Sequence, residues 1–302
     1  MRHDAAPATP ALDTDARLTG FLVGAVVGAR LAARTATCHD PDAVREALAG
    51  QGVVPLPPPA GRRPAAVALG DGLLEEFLEG GVDLRRLSGR YLAWWREDGF
   101  EAGPLLEAAL AQMAEFDAPA ATLPAAGTAP LVAALPAALA SATPATMVSG
   151  AFHVARLLDP SEQAALAAVA LVVTASRLLD GQRDFIPDVL ALLRSNRASE
   201  AMLEAVRAVP RDPRRAPPAP NGEEPDPTTT LAWLLWQLQH RPRGVEALTE
   251  MVQRGGLSPL VGSLFGAMIG ARDGVRDWPA AWIADAGEDV RLRESIARRM
   301  HR

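Results

Sequence analysis

Apolar side chains return along this chain every three to four residues, and no segment alternates apolar and polar positions convincingly enough to predict a strand. The stretch LTGFLVGAVVGARLAA, beginning at Leu18, is apolar nearly all round and predicts a buried helix. In GDGLLEEFLEGG, the residues Leu73, Leu74, Phe77 and Leu78 fall at helical spacing, and a glycine pair ends the run. VDLRRLSGRYLAWWREDGF puts Leu84, Leu87, Tyr91, Leu92 and Trp95 on one face. The clearest element is DPSEQAALAAVALVVTASRLLDGQ: Asp159 suits an N-cap, Pro160 the first helical position, Glu162 a capping box and Gly181 the stop. TTTLAWLLWQLQ and GVEALTEMVQRGG add two more helices, and Trp94, Trp95, Trp233 and Trp236 are expected in the core.

Two proline-rich stretches break this pattern. PRDPRRAPPAPNGEEPDPTTT, residues 210–230, cannot hold regular helix because its prolines lack a donor and clash with helical geometry. A loop of that length either covers a site or is a flexible surface segment. VVPLPPPAGRRP, from Val53 to Pro64, reads as a second loop. Helices of the same character flank both, so neither is an interdomain linker. The expectation is a single all-α domain over residues 18–302, with a disordered tail over residues 1–17 that lacks the apolar core of a signal peptide. Arg30 interrupts the first apolar run before it reaches the roughly 20 residues of a membrane span.

Gly20, Gly24 and Gly28 stand four apart, and so do Gly262, Gly266 and Gly270. Residues at that spacing share one helix face, so each triplet predicts a bare stripe against which another helix can pack closely.

Composition narrows the class. The chain has 302 residues, 49% of them hydrophobic and 22% charged, which is enough apolar material for a packed core. A net charge of -6 leaves no footprint for nucleic acid. The single cysteine, Cys38, excludes an internal disulfide framework and a multi-cysteine metal site, and it favours a cytoplasmic location. Heavy use of Ala, Arg, Pro and Gly fits a GC-rich bacterial genome.

The order of features resembles the ADP-ribosylglycohydrolase family, the group that includes dinitrogenase-reductase-activating glycohydrolase. Members carry a GxxxGDAxG helix, a TDDT loop, an Ala/Leu helix, a YxxW helix, a central Ala-rich helix, and GGDxDT leading into a glycine-rich helix followed by PxxW. The matching segments are GFLVGAVVG, AGRRPAAVALGDGLLEEFLEGGVDLRRLSGRYLAWW, DPSEQAALAAVALVVTASRLLDG, TTTLAWLLWQLQ, GVEALTEMVQRGGLSPLVGSLFGAMIGARDG and WPAAWI, in that order from about Leu18 to Trp282. The resemblance implies an orthogonal multi-helix bundle. In the family, carboxylates of TDDT and GGDxDT hold two magnesium ions against the ribose. The aligned positions are Ala60, Gly61, Arg62 and Arg63, and then Gly255, Gly256, Leu257, Ser258, Pro259 and Leu260, while the aspartate of GDAxG falls on Ala25. Magnesium needs oxygen ligands, and these residues supply no carboxylate. The expectation is therefore no metal site and no cofactor.

Arg62 and Arg63 suit an anionic group, which guanidinium binds in bidentate fashion; the bland alternative turns both to solvent. Together with Leu257, Ser258 and Leu260 they are the expected ligand-binding set. His153 and Asp71 are the candidate acid–base residues, because imidazole titrates near neutral pH; a satisfied structural histidine is the alternative. Cys38, His39 and Asp40 are consecutive and cannot converge as a triad, so Asp40 reads as an N-cap.

Three functions fit: metal-independent chemistry on a small, largely apolar molecule, as in bacterial specialised metabolism; a pseudoenzyme binding ADP-ribose, a nucleotide or a modified protein; or a scaffold for a protein partner. The expected partner is a small molecule, with no nucleic acid and no membrane, and with room for a protein.

Overall fold

The structure, a computed structural model, describes residues 14–122, 127–139, 143–209, 211, 213–222, 225–241, 243–284 and 286. Its helices are α1 (Thr14–Ala33), α2 (Pro41–Leu48), α3 (Ala65–Leu78), α4 (Leu84–Glu97), α5 (Pro104–Glu115), α6 (Ala129–Ala134, continued by a 3-10 turn over Leu135–Leu139), α7 (Pro144–Leu158), α8 (Glu162–Leu179), α9 (Ile186–Ser195), α10 (Glu200–Ala208), α11 (Pro227–His240), α12 (Gly244–Arg254) and α13 (Pro259–Asp273). Among the described residues the only β pairing is a pair of isolated bridges, from Asn221 and Gly222 to Leu257. The all-α bundle expected from the sequence is the fold observed.

The two glycine stripes meet each other. A methyl group added at Gly20, Gly24 or Gly28 would lie 2.1 Å from the carbonyl oxygen of Gly270, Gly266 or Gly262 respectively. The reverse substitutions collide just as hard, with Gly270 facing the oxygen of Gly20 and Gly266 that of Gly24. α1 and α13 therefore touch backbone to backbone along three turns, and each glycine's cost in helix propensity, about 1 kcal/mol, is offset by that contact. Both helices are buried nearly all round, and α11 packs behind α13 with Trp233 edge-on to Phe265 at 5.0 Å.

α8 is the hub, packed against α1, α6, α7, α9, α11 and α13. By length and composition α1 and α8 could each cross a membrane, but 78% and 72% of their apolar windows are buried inside the protein.

Several boundaries differ from expectation. α1 begins at Thr14 rather than after Arg17, so only residues 1–13 of the expected tail lie outside the described residues. Asp159 does not cap α8. It ends α7, and its carboxylate accepts a 2.7 Å hydrogen bond from the Ser161 N–H. Ser161 is the N-cap instead, because its hydroxyl reaches the Ala164 N–H three residues on. Gly181 does follow the helix end with a positive φ. On α4 it is Trp94 that turns inward beside Leu87 and Tyr91, while Trp95 is half-buried. Asp40 caps α2 as expected, accepting from the N–H groups of Asp42 and Ala43.

Candidate functional site

Three segments converge where α1 ends and α13 begins. Gly255 and Gly256 both adopt positive φ, +71° and +73°, which turns the chain sharply into α13. The Gly256 N–H donates to the Thr35 carbonyl at 2.9 Å, and the Thr35 hydroxyl donates to the Val252 carbonyl, also at 2.9 Å. A methyl at Gly255 would sit 2.5 Å from the Cys38 carbonyl oxygen, so this turn is packed as well as bent. Ser258 caps α13 by accepting from the Val261 N–H, and Pro259 takes the first helical position.

Asn221 and Gly222 of the proline-rich segment lie over this entrance. Gly222 N–H donates to the Gly256 carbonyl at 2.9 Å, and Asn221 and Gly222 bridge to Leu257. Leu257, Ser258 and Leu260 are all buried, and both leucines belong to the main core cluster. Residues 210, 212, 223 and 224 of this segment are outside the described set.

The second loop, Val53–Pro64, leans on α1 from the other side. Leu56 N–H donates to the Arg30 carbonyl at 3.0 Å, and Trp282 ties the loop's start by donating from Nε1 to the Val53 carbonyl. Between loop and helix lies a crevice of only about 40 Å³, walled by Ala29, Arg30, Pro57, Pro58, Pro59 and Phe100. The α1 residues that face the loop are thus Ala29 and Arg30, one turn beyond Ala25. Glu101 also borders the crevice, and burial pushes its carboxyl above the ordinary value.

Arg62 and Arg63 face the opposite way, into a broad open groove of about 880 Å³ shared with Arg90, Trp94, Glu97 and Asp98. Arg62 pairs with Asp98 through Nε and lies over the Phe100 ring at 4.7 Å. Arg63 donates its backbone N–H to Asp98 at 2.6 Å and its guanidinium to Asp71 at 2.8 Å, with Glu75 at 3.8 Å. Trp94 Nε1 donates to the Arg63 carbonyl and locks the loop in place. The structure therefore brings together two groups of expected residues rather than one. Arg62, Arg63 and Asp71 lie beside α4; Leu257, Ser258 and Leu260 lie under Asn221 and Gly222.

Below the groove an ion network joins α3 to α4. Glu76, whose side chain is fully buried, accepts from Arg86 and Arg90, and Glu75 and Glu79 also pair with Arg90. Burial alone would raise the Glu76 carboxyl, but hydrogen bonds from Arg86, Arg90 and the Asp83 N–H outweigh it and hold the group below its ordinary value. Burial, helped by the Glu76 charge, pushes the neighbouring Tyr91 phenol up.

His153 and Asp71 share no hydrogen bond. His153 is exposed on α7, where Nδ1 bonds the Ser149 carbonyl at 2.7 Å one turn back and the ring meets Phe152 edge-on. Asp71 is buried on α3 with Arg63. The residues that sequence reasoning missed are Asp98, which anchors both arginines, and Asn221 and Gly222, which cover Leu257. Asp98 followed by Gly99 at the end of α4 was a visible turn signal, but nothing marked it as an arginine partner. Among the described residues no three His, Cys, Asp or Glu side chains converge as metal ligands.

A family model described as ADP-ribosylglycohydrolase matches residues 10–302. A solved structure titled "ADP-ribosylglycohydrolase-related protein complex" is similar to the chain with a TM-score of 0.75 at 25% identity, covering 96% of this chain and 98% of its own. No curated protein is a significant match.

Proposed function

The chain belongs to the ADP-ribosylglycohydrolase family, and we propose that this member has lost the dinuclear magnesium site and serves a small, largely apolar molecule instead of an ADP-ribosyl group. The observation that carries the reading is the donor set at the three converging segments. Magnesium takes near-octahedral oxygen ligation, usually with carboxylates. Ala60, Gly61, Leu257, Pro259 and Leu260 have no side-chain oxygen, and the single hydroxyl, on Ser258, is already used as a helix cap. On α1 the acidic position is an alanine in either register, Ala25 or, one turn on, Ala29. Arg62 and Arg63, at the remaining aligned positions, lie in the groove beside α4, pair with Asp98 and Asp71 and add no oxygen ligand. These residues do not fit a pair of magnesium ions.

Two further features speak against an ADP-ribosyl group at this place. Leu257 and Leu260 are buried apolar residues at the entrance of α13, and the crevice beside Ala29 has room for a water or two but not for a nucleotide.

A second reading, a protein that binds without turnover, is favoured by the pairing around Asp71. Arg63 engages it, and His153 is bonded to its own helix, so no acid–base pair stands poised. The test is hydrolysis of ADP-ribosyl-arginine with and without Mg²⁺, alongside calorimetry with ADP-ribose. The proposal expects no hydrolysis and no binding up to about 1 mM. ADP-ribose binding without hydrolysis would select the second reading, and Mg²⁺-dependent hydrolysis would overturn both.

A further inference from the structure

The proline-rich segment does more than cover Leu257. Further back in the segment, Arg211 and the run Arg215–Pro218 close one side of a pocket of about 480 Å³ between α10 and α11. The walls are mostly apolar, with Ala205 and Ala208 from α10, Ala232 and Trp236 from α11, and Pro217 and Pro218 from the loop, and Thr228 and Thr229 at the start of α11 add two hydroxyls. Arg211 and Arg215 also line it and are exposed to solvent, which sets them at its mouth. This lies within the range of small-molecule sites, which are mostly apolar with a few polar groups that fix orientation. It is lined by none of Arg62, Arg63, Leu257, Ser258 or Leu260.

From this combination we infer a binding site for an amphipathic monocarboxylate, an acid with an acyl chain or a fused aromatic body. The apolar walls take the body of such a molecule out of water. The two guanidiniums meet its carboxylate at the rim with charge-assisted, bidentate geometry. Among the described residues Arg211 pairs only with Glu204, 3.9 Å away and already engaged by Arg207, so its guanidinium has donors to offer a ligand. Trp236 is buried, with His240 5.1 Å from its ring and Arg241 over it at 5.6 Å. Pro217 and Pro218 hold φ and limit the ordering cost of the loop on binding. A cationic or neutral amphiphile gains the walls but not the rim. This inference is independent of the metal-site reading above, since no residue is shared between the two.

The test is titration of the full chain with sodium decanoate and with 2-naphthoate, followed by calorimetry and tryptophan fluorescence, with decyltrimethylammonium as the charge-reversed control. Saturable binding of at least one acid is expected, about ten-fold tighter than the cation. Replacing both arginines, Arg211→Ala with Arg215→Ala, is expected to weaken the acid about ten-fold while the circular dichroism spectrum stays unchanged. Ala205→Trp, at a half-buried position on α10, is expected to fill the pocket and abolish binding. Equal affinity for acid and cation would overturn the site, as would unchanged affinity in the double arginine variant. So would the absence of saturable binding by either acid up to about 1 mM.

Discussion

Gly24 and Gly266 stand so close that a methyl group on Gly24 would lie 2.1 Å from the Gly266 carbonyl oxygen, and one on Gly266 would lie 2.0 Å from that of Gly24. The obstacle in each case is backbone, which cannot swing aside as a side chain can. Gly24→Ala or Gly266→Ala is expected to lose about 3 kcal/mol or more in urea unfolding, at or above the usual upper end for overpacking. The double variant should cost less than the sum, because one methyl already separates the helices. Gly89→Ala and Gly150→Ala, on α4 and α7 with open space around the added carbon, should stabilise by up to about 1 kcal/mol.

The α3–α4 network makes stability pH-dependent. Because Glu76 is held below its ordinary value of 4.5, its contribution is complete above that value and is lost as pH falls through its lowered folded value. Asp83 and Glu204 are lowered too, so Glu76→Gln should flatten the acid side of the stability profile without abolishing it. At neutral pH that variant should lose about 2–3 kcal/mol, below the upper figure for a broken buried pair because Arg86 is 41% and Arg90 27% exposed. Glu101 works in the opposite sense. Its raised carboxyl costs stability as pH rises past 4.5, so Glu101→Gln should stabilise at neutral pH and not in acid.

Arg63 neutralises a buried carboxylate. Arg63→Ala should destabilise by about 1 kcal/mol, a modest figure because the arginine is 40% exposed and solvent screens the pair. Adding Asp71→Asn should recover part of that loss, since the charge left without its arginine is then gone. Additive losses in a double-mutant cycle would show that the pair is not coupled.

Leu257 is covered by Asn221 and Gly222, so a carboxylate placed there does not meet solvent. Leu257→Asp should cost about 3 kcal/mol or more from lost burial and an unpaired charge. Mg²⁺ should not restore it, because among the described residues no group of His, Cys, Asp or Glu side chains converges as metal ligands. Recovery of stability specifically with Mg²⁺ would contradict that expectation.

The helical pattern was legible because long apolar faces dominate the sequence, and the glycine stripes were legible because their spacing has one geometric meaning. Asp40 as a cap followed from local chemistry. Ser161 was missed because Asp159, Pro160, Ser161 and Glu162 offer competing caps, and only the course of the chain decides which oxygen faces the helix end. Trp94 and Trp95 are adjacent on a helix of period 3.6, so the inward one depends on the tilt of α4. Helices such as α5, α9 and α10 are short and lack all-round apolarity, and they drew no strong prediction. The separation of Arg62 and Arg63 from Leu257 was illegible for a different reason. Asp98 and Asp71 are remote from the arginines in the helical register, and only the packing of α3 against α4 brings both carboxylates to one loop.

We propose above that the converging segments do not hold magnesium. This proposal is tested most directly by thermal unfolding of the full chain in Mg²⁺, with Ca²⁺ and matched ionic strength as controls. The expected result is no shift specific to magnesium at concentrations up to several millimolar, where a site with a dissociation constant ten-fold lower would stabilise the fold by about 1.4 kcal/mol. A saturable, Mg²⁺-specific rise in melting temperature would contradict it.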